Sequence, residues 1–253
     1  MLSGATASLL DDAHRSRTCV EAASVEIADL AEAYEIQDAL TALRISRGAR
    51  PVGWKLGYTS QVMRDQLGVP EPNHGPLLSD MTLPDGGELP ARLIHPRVEP
   101  EVALVLATAP RPGASAQDVL DRCAGAYAAL EVVDSVWCRY EFDLEHNTAD
   151  GSSAAHLVLG PEIPLESVGG VRVALELDGV EQGTGVGSDA AGHPALAVAW
   201  LVEVLAAQGR HLSPGDVVLT GGLTAAVPIE PGNVVSAVFA PASGDRVRVT
   251  VRR

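Results

Sequence analysis

Positive charge is scarce in this sequence: 18 Lys and Arg stand against 33 Asp and Glu, a formal charge of −15 with a pI near 4.8. Binding to a nucleic-acid backbone draws its affinity from clustered Lys and Arg that release counterions, so that class of partner is excluded. Cysteine is equally sparse. Cys19, Cys123 and Cys138 are an odd number with no CxxC spacing, which predicts neither a disulfide framework nor a zinc site and fits a reducing cytoplasm. The N-terminal MLSGATASLLDDAHRSR has no apolar stretch of signal-peptide length and is broken by Asp11 and Asp12. No later run approaches the ~18 apolar residues of a membrane span, so the expectation is a cytoplasmic chain with no membrane partner. Also missing are an HExxH helix, a GxSxG elbow and a GxGxxG fingerprint; GTGVGS at 183–188 has the wrong spacing and reads as a hairpin loop.

What is present is ample apolar material, 46% of 253 residues, enough to bury a substantial core. Residues 22–47 place Val25, Ile27, Leu30, Ile36, Leu40 and Leu43 at helical spacing and predict one or two amphipathic helices. VGWKLGYTS reads as a short strand that sets Lys55 among apolar neighbours, and SQVMRDQLGV as a short helix. PEPNHGPLLSDMTLPDGGELP reads as a long Pro- and Gly-rich loop. Strands are expected at 98–106, 128–134, 155–159, 171–178, 217–220, 233–239 and 246–252, with turns at 178–179 and 243–245. Helices are expected at 115–126 and 193–209, the second ending on Gly209 as its cap. Many short strands without regular βαβ alternation predict an α+β fold with a mixed β-roll or barrel-like sheet and peripheral helices. No linker divides the chain, which is expected to form one catalytic domain over 1–253 with a helical portion at 1–50.

The chemistry concentrates in HPRVEPEVALVL, residues 95–106. Glu99 and Glu101 are two apart on a strand, so both carboxylates leave on one face, and Glu131 interrupts the apolar strand YAALEVVDS in the same way. Buried ionised carboxylates are costly unless paired or metal-bound, and Lys55 alone cannot neutralise three. Two readings are open from these residues: a solvent-facing sheet edge, or an all-oxygen site for Mg2+ or Mn2+.

Seven collinear stretches then carry a resemblance: VGWKLGYTS, LGVPEPNHGPLLSDM, LIHPRVEPEVALVL, LEVVDS, TADGSSAAHLVLG, GHPALAVAWL and GDVVLTGGLTAAVPIEPGN. Over about residues 25–240 the chain resembles the 2-keto-4-pentenoate hydratase and 4-oxalocrotonate (2-oxohex-3-enedioate) decarboxylase family of the fumarylacetoacetase-like superfamily. That resemblance implies a β-roll or barrel fold, a homo-oligomer, and a possible complex with a related hydratase or decarboxylase. It implies Mg2+ or Mn2+ held by Glu99, Glu101 and Glu131, with Lys55 as the active-site lysine, its pKa pressed down by burial near the metal site. It also implies a lyase acting on a small-molecule 2-oxo or enol acid through a metal-stabilised dienolate, decarboxylation slightly ahead of hydration.

Asp80 in GPLLSDM falls where the hydratases carry an aspartate, and it supports hydration if it faces the site; a loop-turn role is the other reading. Gly221, Gly222 and Thr224 in TGGLTAAV could bring backbone amides to a substrate carboxylate or could mark a barrel corner. Asp150 and Ser153 in ADGSS are expected near the substrate, a turn role staying open for Asp150. Two departures stand out: Val136 where the family usually carries arginine, and Gly151 where it carries asparagine. They leave room for a different, biosynthetic 2-oxo acid as substrate, and for a non-catalytic ligand-binding or partner subunit.

Overall fold

The computed structural model describes residues 2–253. Helices α1 (Leu2–Ser16) and α2 (Leu30–Ser46) open the chain and pack on each other. Asp29 caps α2 by accepting the Glu32 N–H at 2.9 Å. Their shared face buries Ala7, Leu10, Ala33 and Ile36 together with Val136 and Trp137 from a distant loop.

The remaining elements are β1 (Pro51–Gly57), α3 (Gln61–Leu67), β2 (Asn73–Leu78), β3 (Thr82–Leu83), β4 (Arg97–Leu106), α4 (Ala116–Leu120), β5 (Cys123–Val133), α5 (Leu144–Ala149) and β6 (Ala154–Ile163). They continue with β7 (Arg172–Leu177), β8 (Val180–Val186), α6 (Pro194–Ala207), β9 (Val217–Leu219), β10 (Val227–Pro228), β11 (Val234–Ala240) and β12 (Val247–Arg252). An eight-stranded mixed sheet runs β2-β1-β9-β4-β5-β6-β3, with β10 also on β4 and the β1/β9 and β3/β6 pairs parallel. It curls into a half-barrel. A four-stranded antiparallel sheet, β12-β11-β7-β8, packs against it and shares its core. Gly160 on β6 permits that approach, since a Cβ there would lie 2.6 Å from Val249 of β12. The expected α+β architecture, a curled sheet with peripheral helices, is what the chain adopts.

Several local expectations are overturned. Residues 73–78 are a strand buried along its whole length, not loop; Pro76 fits because β2 lies at the edge of the sheet, and Gly75 because a Cβ would meet the Gly151 carbonyl at 2.1 Å. The helix expected over 115–126 stops at Leu120, and β5 begins at Cys123, several residues before the strand was expected. Small alanines gave that stretch a helical look, and its long pairing with β4 overrides it. GTGVGS is mostly strand: β8 runs through Val186, and Gly185 lies against the Leu223 carbonyl. Cys19 and Cys138 form a disulfide across 119 residues; a parallel bridge between Val20 and Trp137 lays the two segments side by side, which spacing along the chain cannot reveal. Other expectations hold. Asp178 and Gly179 turn the β7–β8 hairpin with φ of 50° and 78°, and Gly209 follows α6 at φ 70°. Residues 187–207 are apolar enough by length and composition to cross a membrane, and within them α6 buries Val198, Leu201 and Leu205 in the core.

Candidate metal centre and active site

The β4/β5 register sets Glu99 directly opposite Glu131, with Glu101 two residues further along the same face of β4. One carboxylate oxygen from each of the three lies within 4.8 Å of the others. Glu101 and Glu131 are fully buried, and Glu99 reaches the wall of a cavity of about 690 Å³. Glu101 Oε2 accepts the Gly221 N–H at 2.7 Å, while its Oε1 has no partner. Neither oxygen of Glu131 accepts a well-directed hydrogen bond; its neighbour is Lys55 Nζ, an ion-pair contact at 3.1 Å.

Lys55, the chain's single lysine, extends from β1 and is buried. It donates to the Ser152 carbonyl at 3.0 Å and to Ser152 Oγ at 3.2 Å. Ser152 Oγ donates to Asn73 Oδ1, Asn73 Nδ2 donates to Asn147 Oδ1, and Asn147 Nδ2 donates to Ser153 Oγ. The Gly151–Ser153 turn holds φ of 70°, 56° and 57°, a left-handed run costly for two serines and sustained by this buried network.

Crowding of acids governs the electrostatics. Burial, and then the charge of Glu131, pushes Glu99 up to about 7. Burial and both neighbouring carboxylates hold Glu101 well above the usual carboxylate range. Glu131 is raised by burial against the opposing charge of Lys55. Burial alone would lower Lys55, but the three carboxylates outweigh it and the ammonium is held above its ordinary value. Without a cation between them, the carboxylates that make the site therefore stabilise the charged form of Lys55. Three carboxylates, orphaned oxygens in full burial and an all-oxygen donor set fit a hard divalent cation. Gly222 is part of that fit, because a Cβ there would lie 2.2 Å from Glu99 Oε2.

Of the other expected site residues, Gly222 and Ser153 line the cavity, and Gly221 contributes the N–H that holds Glu101. Thr224 packs beside Gly183 of β8 and donates to the Ala225 carbonyl. Asp80 is displaced: it pairs with Arg44 of α2 at 2.9 Å and lines a different cavity, because the turn after β2 faces the helical layer. Asp150 also lies behind the cavity, accepting the Val136 N–H at 2.9 Å and meeting His14 Nε2 at 2.6 Å, so it ties the serine turn to α1. Val136 is buried among the helices, away from the cavity wall. Gly151 occupies the left-handed region, which asparagine also adopts, with nothing within 4 Å of a Cβ. Neither Val136 nor Gly151 lines the cavity beside the carboxylates. The sequence reading missed Ser152, Asn73, Asn147, Arg97 and Tyr140. Arg97 alone had a signal, lying two residues before Glu99 on the same strand face.

A mixed sheet curled into a half-barrel, with a carboxylate cluster and a lysine at the wall of a cavity, defines an α+β protein with a site suited to a hard cation. The model of the fumarylacetoacetate hydrolase C-terminal family matches residues 77–252, and the chain belongs to that family. It is 35% identical over 214 residues to a 4-oxalocrotonate decarboxylase of Pseudomonas sp. (strain CF600), covering 81% of this chain and 80% of that one. It is 38% identical over 216 residues to a 2-keto-4-pentenoate hydratase of Burkholderia vietnamiensis, covering 83% and 82%. Among solved structures, the 4-oxalocrotonate decarboxylase from Pseudomonas putida G7, complexed with magnesium and adipate, superposes with a TM-score of 0.92 at 30% identity, covering 99% of this chain and 96% of that one.

Proposed function

We propose that the protein is a Mg2+- or Mn2+-dependent lyase acting on a small 2-oxo acid, with decarboxylation of a 2-oxohex-3-enedioate-type substrate ahead of hydration of 2-hydroxypenta-2,4-dienoate. The observation that carries this reading is the trio Glu99, Glu101 and Glu131, the last two fully buried with oxygens that accept no hydrogen bond, opening beside Lys55 onto a cavity of about 690 Å³. The relatives named above perform both reactions by name, and one was solved with magnesium and a six-carbon dicarboxylate.

A divalent cation held by the three carboxylates supplies positive charge for the negative charge that develops on the substrate's 2-oxo oxygen. Lys55, fixed by two hydrogen bonds to Ser152, places an ammonium at the same end, where it can deliver a proton to the 2-oxo oxygen as negative charge arrives there. In decarboxylation the bond to the distal carboxylate breaks, its electron pair moves through the conjugated double bond toward the oxo group, and CO2 departs. Hydration needs an acid or base beside the distal carbon, the role expected of Asp80. Its pairing with Arg44 in another cavity favours the decarboxylation reading.

The test is an assay of the metal-loaded protein with 2-oxohex-3-enedioate and 2-hydroxypenta-2,4-dienoate, following CO2 release and dienoate consumption separately, with and without a chelator. The expected result is chelator-sensitive CO2 release that is lost in Glu101→Gln. Turnover unaffected by both interventions would overturn the metal assignment, and silence on both substrates with Mg2+ binding intact would overturn the substrate assignment.

A further inference from the structure

The wall of the large cavity carries two cations, Lys55 and Arg97. Lys55 is taken: Glu131 and Ser152 engage it. The side chain of Arg97, in contrast, has no carboxylate partner or hydrogen bond among the described residues. It leaves β4 on the same face as Glu99, roughly 7 Å away along the strand by two residues of rise. Its guanidinium carbon instead sits over the Tyr140 ring, 4.3 Å from the centroid.

Tyr140 is a fixed platform. Its hydroxyl lies 3.1 Å from the Val133 carbonyl and 3.2 Å from that of His95. The His95 and Phe142 rings pack beside it at 4.7 and 6.0 Å. Arg139 and Tyr140 both adopt left-handed φ, 58° and 59°, a conformation that persists only where the surroundings impose it. The Cys19–Cys138 disulfide ties down the start of the same turn. A stacked guanidinium keeps its in-plane N–H fork free, and that fork matches a carboxylate. Asp143 and Glu145 elsewhere on the wall would repel an anion, which leaves Arg97 as the place for one.

We infer that Arg97, stacked on Tyr140, is the subsite for the second, distal carboxylate of a short 2-oxo dicarboxylate whose 2-oxo end lies at the carboxylate trio and Lys55. This rests on the function proposed above and narrows it to diacid substrates. Since CO2 leaves uncharged, a cation on the departing carboxylate stabilises bound substrate at least as much as the transition state. Arg97 is therefore a specificity residue that sets KM and leaves kcat largely unchanged.

The experiment measures binding of two unreactive probes, 2-oxoadipate and 2-oxohexanoate, to the Mg2+-loaded protein by calorimetry, in the wild type, Arg97→Met and Arg97→Lys. The wild type should prefer the diacid. Arg97→Met should weaken 2-oxoadipate by about 10- to 100-fold, as for loss of a hydrogen-bonded charge pair, with 2-oxohexanoate unchanged, and Arg97→Lys should fall between. In turnover of 2-oxohex-3-enedioate, Arg97→Met should raise KM by a similar factor and change kcat by less than about 3-fold. A Mg2+-induced rise in Tm equal to that of the wild type would show that the variant folds and keeps its metal site. Equal binding of both probes by the wild type, or equal loss of both in Arg97→Met, would overturn the subsite while sparing the lyase reading. Failure of the wild type to bind either 2-oxo acid would overturn both.

Discussion

Replacing Glu101 with glutamine should stabilise the metal-free protein while removing most of its response to Mg2+. Glutamine has nearly the shape of glutamate, and its carbonyl can keep the 2.7 Å hydrogen bond from the Gly221 N–H, so the perturbation is close to the loss of one charge. Two unit charges 4.8 Å apart repel by about 3 kcal/mol at an effective dielectric of about 20. Lys55 offsets part of this, and proton uptake relieves more, as the position of Glu99 near 7 indicates. The expected net gain is about 1–2 kcal/mol, a rise in Tm of about 2–8 °C for a chain of this size. The sign with pH follows from linkage. The native chain holds carboxyl protons that the unfolded chain has released, so wild-type stability falls as pH rises from 4.5 toward about 7, and the advantage of the variant grows over that window. Mg2+ at about 100 times its Kd should add about 2.7 kcal/mol to the wild type, about 5–11 °C, and much less to the variant. Thermal melts with EDTA or Mg2+ at several pH values read both effects. A metal-free variant that melts below the wild type, or equal Mg2+ shifts in the two proteins, would refute the assignment of Glu101 to a crowded cation site.

Burial lowers the pKa of His14, but the Asp150 carboxylate beside it outweighs this and holds it above the ordinary value. The contact therefore stabilises α1 fully below pH of about 6.5 and is lost as pH rises through the raised value. His14→Gln should flatten the difference in Tm between pH 6 and pH 9 by about 2–4 °C, and an unchanged difference would remove His14 from this role. Air-isolated, denatured protein should expose one titratable thiol, Cys123, and three after reduction, with reduction costing about 2–5 kcal/mol in denaturant unfolding; three thiols before reduction would count against the disulfide. Gly151→Asn should change stability by less than about 0.5 kcal/mol, because asparagine tolerates the left-handed region and no atom lies within 4 Å of a Cβ. A larger loss would mean that the turn needs glycine for another reason.

Strand patterning made much of this fold legible. The alternation in HPRVEPEVALVL and the apolar run around Glu131 identify β4 and β5, and local sequence alone marks their carboxylates, because buried acids are expensive anywhere in a core. The loop reading of residues 70–90 fails at β2 for a physical reason: proline and glycine signal turns, yet on an edge strand proline omits a donor that no neighbour needs, and Gly75 is small because the Gly151 carbonyl comes close. Asp80 failed because a loop sequence says nothing about which layer its side chain faces, and here that layer is α2. Tyr140 and the Ser152 network gave no sequence signal, since they become partners of Arg97 and Lys55 only when segments far apart in the chain converge.

The sequence by itself determined the chemical content of the site, three glutamates and one lysine in apolar strands, because period-two alternation fixes which side chains share a face. It also determined the α+β class through strand-rich patterning and short turns. Only the tertiary structure decided that Glu131 lies opposite Glu99, that Lys55 meets Glu131, that Cys19 meets Cys138, and that Arg97 reaches the cavity wall over Tyr140. Each of these depends on distance across the fold, and electrostatic and covalent partners act over a few ångströms of space however far apart they lie along the chain.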